Sequence, residues 1–196
     1  SIRYNVPKLC FVNKLDRTGA DFFRCLKMIN ERLSKNAVSI VLPIGEENNF
    51  RGLTDLISMK NIFWKEEKMG SFFYFEDILS ENLDEIKNYR HKIIEKCSEY
   101  DDNIAEKFLS DKDISNEELL YSIRRGVLKN NFIPVLCGSA LKNKCIQYLL
   151  DKIVQFLPSP YDNKEIKCYD SENNIVFIQK NENNPLLAIV FKIIND

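Results

Sequence analysis

Two short apolar runs, each ending in a small polar motif, constrain this chain more than any other feature. Val6 to Val12 leads into Asn13-Lys14-Leu15-Asp16, and Phe132 to Cys137 leads into Gly138-Ser139-Ala140-Leu141. A compact apolar run bounded by polar residues reads as a strand buried on both faces, the kind that builds parallel sheets. In open α/β sheets, ligands bind just outside the carboxyl ends of the strands. Both motifs therefore fall where a site is expected. Asp16 and Ser139 are 123 residues apart, against roughly 30 for a minimal strand–helix–strand unit.

The intervening sequence accounts for that excess. Thr18 is expected to open a helix, with Asp21 as a capping-box analogue and Phe22, Leu26, Ile29 and Leu33 on its buried face. Val38–Ile44 and Phe50–Ile57 read as strands around a polar turn at 45–49, and Ile62–Trp64 and Phe72–Phe75 as two more. Asn82 with Glu85 is expected to cap a helix bearing Ile86, Tyr89, Ile93 and Cys97; Asp102 opens a short one. Ser115 with Glu118 forms a full capping box ahead of Leu119, Leu120, Ile123 and Val127. A last helix over about Lys144–Leu157 is stopped by Pro158 and Pro160. Beyond it the chain is polar, with strands near 166–169 and 175–178 and an apolar strand at Leu186–Ile194 that has no evident pairing partner. The organisation expected is an α/β domain in two parts, 1–37 and 131–160, with an inserted α+β subdomain at 38–130, followed by 161–196.

The chemistry of the two motifs fits guanine. The Watson–Crick edge of guanine offers two adjacent donors, N1–H and the exocyclic amine, and one carboxylate accepts both; Asp16 supplies it. Adenine lacks that donor pair and leaves the carboxylate unsatisfied. Asn13 can reach the Hoogsteen edge and tie the two loops together, and the Lys14 stem can lie over the base plane. Ser139 can orient Asp16, and the Ala140 N–H can donate to O6. They resemble the base-recognition elements of a P-loop GTPase, and the resemblance implies a Rossmann-like three-layer α/β fold.

The longer stretches narrow the resemblance. Asn13-Lys-Leu-Asp-Arg-Thr-Gly-Ala-Asp-Phe22, Leu42-Pro-Ile-Gly45, Cys137-Gly-Ser-Ala-Leu-Lys-Asn-Lys144 and Phe156-Leu-Pro-Ser-Pro160 resemble translation elongation factor G of the bacterial type, over nearly the whole chain. The resemblance implies that Asn13, Lys14, Asp16, Ser139, Ala140 and Leu141 contact GTP or GDP. It also implies that 161–196 is a linker and the first strand of a β-barrel domain. One departure is Cys145, where that family usually has Gly. Ribosome-protection proteins and release factor three share the base motif and form an alternative. A docking module for the ribosomal stalk, with no nucleotide function, is another.

The sequence contains no Gly-x-x-x-x-Gly-Lys-[Ser/Thr] loop and no Asp-x-x-Gly-His motif. With Ser1 in place of Met, it reads as a stretch of a longer chain. The phosphate and Mg²⁺ contacts it lacks are worth about 1.5–3 kcal/mol each, and a micromolar complex holds only about 8 kcal/mol. This stretch alone is therefore expected neither to hold GTP usefully nor to hydrolyse it; no catalytic residue and no metal ligand is assigned. The one histidine, His91, reads as a surface helix residue. The six cysteines show no Cys-x-x-Cys spacing and read as reduced thiols, mostly in the core.

Charge is nearly balanced, 28 Lys+Arg against 29 Asp+Glu, which argues against a general nucleic-acid or membrane binder. The balance hides a local excess: residues 76–118 hold 14 acidic and 6 basic side chains. The resemblance implies that this subdomain meets the ribosomal stalk protein, and that tRNA–mRNA translocation uses domains beyond this sequence. Arg124, Arg125, Lys142 and Lys144 are the candidates for RNA contact. The aromatic cluster at 63–64 and 72–75 lacks interleaved basic residues and reads as strand packing. The Asn, Lys and Ile bias suggests an A+T-rich genome, hence a bacterial cytoplasm or an organellar matrix or stroma.

Overall fold

The computed structural model describes residues 4–64, 72–160, 162, 165–170, 172–179, 188, 192 and 193. In chain order the elements are β1 (Cys10–Val12), α1 (Phe22–Arg32), β2 (Ala37–Ser39), β3 (Val41–Ile44), β4 (Gly52–Asp55), β5 (Lys60–Trp64) and β6 (Phe73–Asp77). Then follow α2 (Leu83–Ser98), α3 (Asp102–Leu109), α4 (Asn116–Leu128), β7 (Ile133–Cys137), α5 (Ile146–Phe156), β8 (Glu165–Tyr169) and β9 (Ile175–Gln179). The chain divides into two compact units, residues 1–157 and 158–196.

The first unit holds two sheets. One is parallel, in the order β1-β7-β2, and the other antiparallel, in the order β3-β4-β5-β6. β7 is buried at all five positions, as a continuous apolar run in a central parallel strand must be. The register pairs Val12 with Cys137. The two strands thus end level, and the motifs that follow them leave the sheet side by side.

The Val38–Ile44 run is not one strand. Its first half, in β2, joins the parallel sheet, and its second half, β3, joins the antiparallel one. The break is at Ile40, whose N–H donates to the Val135 carbonyl (3.1 Å) while its own carbonyl accepts from the Leu56 N–H (3.1 Å). An unbroken apolar run gives no sign of such a transfer, because both sheets bury the same kinds of side chain. The Phe50–Ile57 run shortens to β4 for a different reason. Asp55 accepts from the Ile57 N–H (2.9 Å) and the Ser58 hydroxyl (2.8 Å), turning the chain into β5.

Helix starts follow side-chain capping. α1 begins four residues after Thr18: Asp21 is the N-cap, accepting from the Arg24 N–H at 2.9 Å, while Thr18 lies in the preceding turn. Asn82 makes no side-chain cap bond, because it sits at the end of a 3₁₀ turn with helical backbone angles. The Ser115–Glu118 box forms in both directions. Ser115→Ala removes one of those bonds and should cost about 1 kcal/mol, read as a lowered midpoint in denaturant with an unchanged slope.

A common apolar core runs through both sheets and the helices, with Phe50, Ile62, Leu119, Ile123, Phe132 and Phe156 among its fully covered members. Arg90 of α2 ties the elements around it: it donates to the carbonyls of Leu56, Ile57 and Ile114. Trp64 is buried and Phe63 packs on Tyr74 across the strands (5.8 Å between centroids), as strand packing predicts. Phe72, Tyr74 and Phe75 nevertheless remain largely exposed, because β6 is the edge strand. In the second unit, β8 and β9 form an antiparallel hairpin. The strand expected at Leu186–Ile194 lies, apart from Ala188, Lys192 and Ile193, outside the described residues. Among the described residues no helix is long and apolar enough to cross a membrane.

Candidate functional site: two loops at the end of the parallel sheet

Main-chain bonds continue the parallel pairing past the strand ends. The Gly138 N–H donates to the Val12 carbonyl (3.0 Å), and the Leu15 N–H to the Gly138 carbonyl (3.1 Å). The second loop then closes on itself, with Ser139 and Lys144 exchanging two main-chain bonds of 3.1 and 2.9 Å. Lys14, Asn143 and Cys145 all have positive φ (67°, 52° and 73°). Left-handed backbone at non-glycine residues is unfavourable; three of the nine such residues among those described lie in these two loops. Cys145, whose thiol is fully buried and pushed well above its usual pKa by burial, is the N-cap of α5. Its backbone conformation is the one glycine adopts most readily, and this is the position at which the sequence departs from the Gly of the resembled family.

The side chains of the motifs interlock. Asn13 Oδ1 accepts from the N–H groups of Lys14 (2.8 Å) and Ala140 (2.9 Å), tying the loops together. The Ala140 N–H is thereby committed to Asn13, so a base oxygen reaching it must share or displace that bond. The Asp16 side chain is only 11% exposed, with the Lys142 ammonium 3.7 Å from its Oδ2. A hydrogen bond from the Ser139 hydroxyl holds its carboxyl below the ordinary value of 3.8; the charges of Lys142 and Arg17 act in the same direction, and burial opposes them. Ser139 Oγ in turn accepts from the Lys142 N–H (3.3 Å). Lys14 and Leu141 lie exposed beside the carboxylate's loops, Leu141 at 86%.

The structure thus brings together Asn13, Asp16, Ser139 and Ala140 by direct bonds and leaves Lys14 and Leu141 flanking them. A carboxylate held ionised and partly shielded is suited to accept two adjacent N–H donors. Two further contacts join these loops to the segment between β3 and β4 in a way the sequence does not signal. Glu47 Oε1 accepts from the Gly19 N–H (2.6 Å), and the Lys144 Nζ donates to the Phe50 carbonyl (2.9 Å). Neither contact shows a spacing relation to the base motifs, because both depend on how a distant hairpin folds back.

The four basic residues considered for RNA contact all have internal partners. Arg124 donates to the Gln155 carbonyl (2.7 Å) at the end of α5, and Arg125 pairs with buried Asp101 (3.2 Å). Lys142 faces Asp16, and Lys144 is 7% exposed. His91 is exposed on α2, its ring 5.0 Å from that of Phe108, well away in sequence from either loop. Among the described residues no group of three or more His, Cys, Asp or Glu is placed to hold a metal ion.

The chain is similar in fold to a crystal structure of a protein from Thermus thermophilus, with a TM-score of 0.71 and 24% identity over 83% of this chain. The match spans only 24% of that protein's chain, so the present sequence corresponds to about a quarter of its length. The Elongation factor Tu GTP binding domain family matches residues 1–159, which include both loops and every element from β1 to α5. With parallel strands delivering both loops to one edge of an α/β sheet, the chain belongs to the family of the Elongation factor Tu GTP binding domain.

Proposed function

We propose that this chain is the guanine-recognition part of a translational GTPase of the elongation factor G type, which couples GTP hydrolysis to movement of tRNA and mRNA on the ribosome. The observation that carries the base assignment is the Asp16 carboxylate, held ionised by Ser139 from a loop 123 residues away. The elongation factor G assignment rests on the long sequence blocks around the two motifs, which exceed what base recognition alone requires. No residue of this sequence is assigned to phosphate or Mg²⁺ binding or to the chemistry of hydrolysis. The partner implied is the ribosome, with the acidic helices of the inserted region facing the stalk protein.

In this reading Asp16 accepts N1–H and the 2-amino group of guanine. Ser139 and the Asn13 bond to Ala140 fix the distance between the carboxylate and the opposite loop. Lys142 must swing off Asp16 for the base to enter, which its 46% exposed side chain permits. Calorimetric titration of the full-length protein should show GDP binding at least about a hundredfold tighter than ADP, since adenine leaves the carboxylate without partners. Equal affinities for the two nucleotides would overturn the proposal.

A further inference from the structure

The hairpin between β3 and β4, residues 45–51, touches both base loops. From its tip, Glu47 accepts the Gly19 N–H of the first loop at 2.6 Å. From its far side, the Phe50 carbonyl accepts the Lys144 ammonium of the second loop at 2.9 Å. We infer that this hairpin sets the spacing of the two guanine loops, and that Glu47 and Lys144 are positioning residues for base recognition. The inference rests on the proposed guanine site and extends it to a segment no base touches.

The hairpin is itself firmly held. Arg51 donates its N–H to the Ile44 carbonyl (3.0 Å), Asn49 to Glu46 (2.8 Å) and Phe50 to Glu47 (3.1 Å). Gly45 has φ of 81°, and a Cβ there would fall on the Asn49 main chain, so only glycine lets the turn close. The Phe50 ring is buried in the core, which fixes the carbonyl that receives Lys144. A rigid hairpin can therefore act as a spacer, where a loose one could not.

Lys144 is placed to transmit that spacing. A lysine almost wholly removed from water costs free energy unless it is well partnered, and a leucine or methionine would fill such a place at lower cost. Its main chain is one end of the closed turn whose other end is Ser139. Ser139 carries the hydroxyl that holds Asp16 and receives the Lys142 N–H. A displacement of Lys144 thus reaches Asp16 through one residue. On the other side, Gly19 is gripped twice, by Glu47 at its N–H and by Arg24 at its carbonyl (3.0 Å). Gly19 lies three residues beyond Asp16, after a turn closed by Arg17 N–H on the Lys14 carbonyl (3.2 Å) and Ala20 N–H on that of Arg17 (3.0 Å).

The test uses the full-length protein with two probes, GDP and inorganic pyrophosphate. Pyrophosphate occupies the phosphate site and makes no base contact. Lys144→Met and Glu47→Ala should each lower GDP affinity about tenfold, the worth of one hydrogen bond, and leave pyrophosphate affinity unchanged. Lys144→Arg and Glu47→Gln keep a donor and an acceptor, and should recover most of the loss. If burying an altered side chain prevents Lys144→Met from folding, Glu47→Ala, nearer the surface, carries the result. GDP affinity within twofold of wild type in the folded variants would overturn the inference, as would equal losses for GDP and pyrophosphate. Asp16→Asn is the control that separates the two readings. Full GDP affinity in that variant overturns the base-site reading and the hairpin inference with it. A loss there, beside wild-type GDP affinity in the folded Glu47 and Lys144 variants, overturns the hairpin inference alone.

Discussion

Gly138→Ala should destabilise the folded chain by about 3 kcal/mol, at the upper end of what overpacking usually costs, and, on the proposed function, remove guanine binding with it. A Cβ at this position would lie 2.6 Å from the Lys144 carbonyl oxygen, 2.7 Å from the Cys145 Cβ and 3.0 Å from the Phe11 ring. Two of these neighbours are main chain or attached directly to it, and Cys145 begins α5. Neither can rotate aside as a long side chain would. Relief requires moving residues 144 and 145 away from Gly138, and the Phe11 ring must also give. Moving Lys144 away from Gly138 breaks its main-chain pair with Ser139. That movement disturbs the Ser139 hydroxyl that holds Asp16. Denaturant unfolding followed by circular dichroism measures the first effect. A midpoint within error of wild type would show that the loop has slack the packing does not reveal.

That glycine also shows which features were legible in the sequence. Gly138 is visible as part of a motif, but the reason for it is not, since the residues that exclude a Cβ come from a turn six positions later and from a different strand. Parallel strands, their order of appearance and the two polar ends could be read because each is a local pattern. β7 is an uninterrupted apolar run, and the Ser115–Glu118 box lies within four residues. The passage of the chain from one sheet to the other at Ile40 could not be read, because burial in either sheet selects the same side chains. The spacing of Thr18 and Asp21 suggests a capping box opened by Thr18, but Asp21 itself caps the helix and Thr18 lies in the turn before it. At the candidate site, the sequence brings Asn13, Asp16, Ser139 and Ala140 forward because their chemistry would suit a purine edge, and the structure joins them in pairs. The contacts of Glu47 and Lys144 could not be read, because a meeting between a hairpin and a loop has no sequence period.

Asp16→Asn tests the chemistry most directly, because the substitution preserves size and leaves the loops free to keep their main-chain bonds. In the full-length protein it should lower GDP affinity about a thousandfold, the loss of two charge-assisted hydrogen bonds of roughly 1.5–3 kcal/mol each. Part of that loss comes from the new amide NH₂, which presents a donor to the guanine amine. The same NH₂ finds an acceptor in the 2-oxo group of xanthine, while the amide oxygen still takes N1–H. Xanthosine diphosphate should therefore become the preferred ligand. The pH dependence has a defined sign. The folded-state pKa of Asp16 lies below 3.8, so the carboxylate contributes fully at neutral and mildly acid pH, and its contribution is lost only as pH falls past that ordinary value toward the lowered one. The difference in GDP affinity between wild type and variant should thus be constant from about pH 7 to about pH 5. Competition titrations with GDP and xanthosine diphosphate at both pH values decide the matter. If the variant still prefers GDP, the Asp16 carboxylate does not read the base; if the difference shrinks before pH 5, Ser139 and Lys142 do not hold that carboxylate as the structure places them.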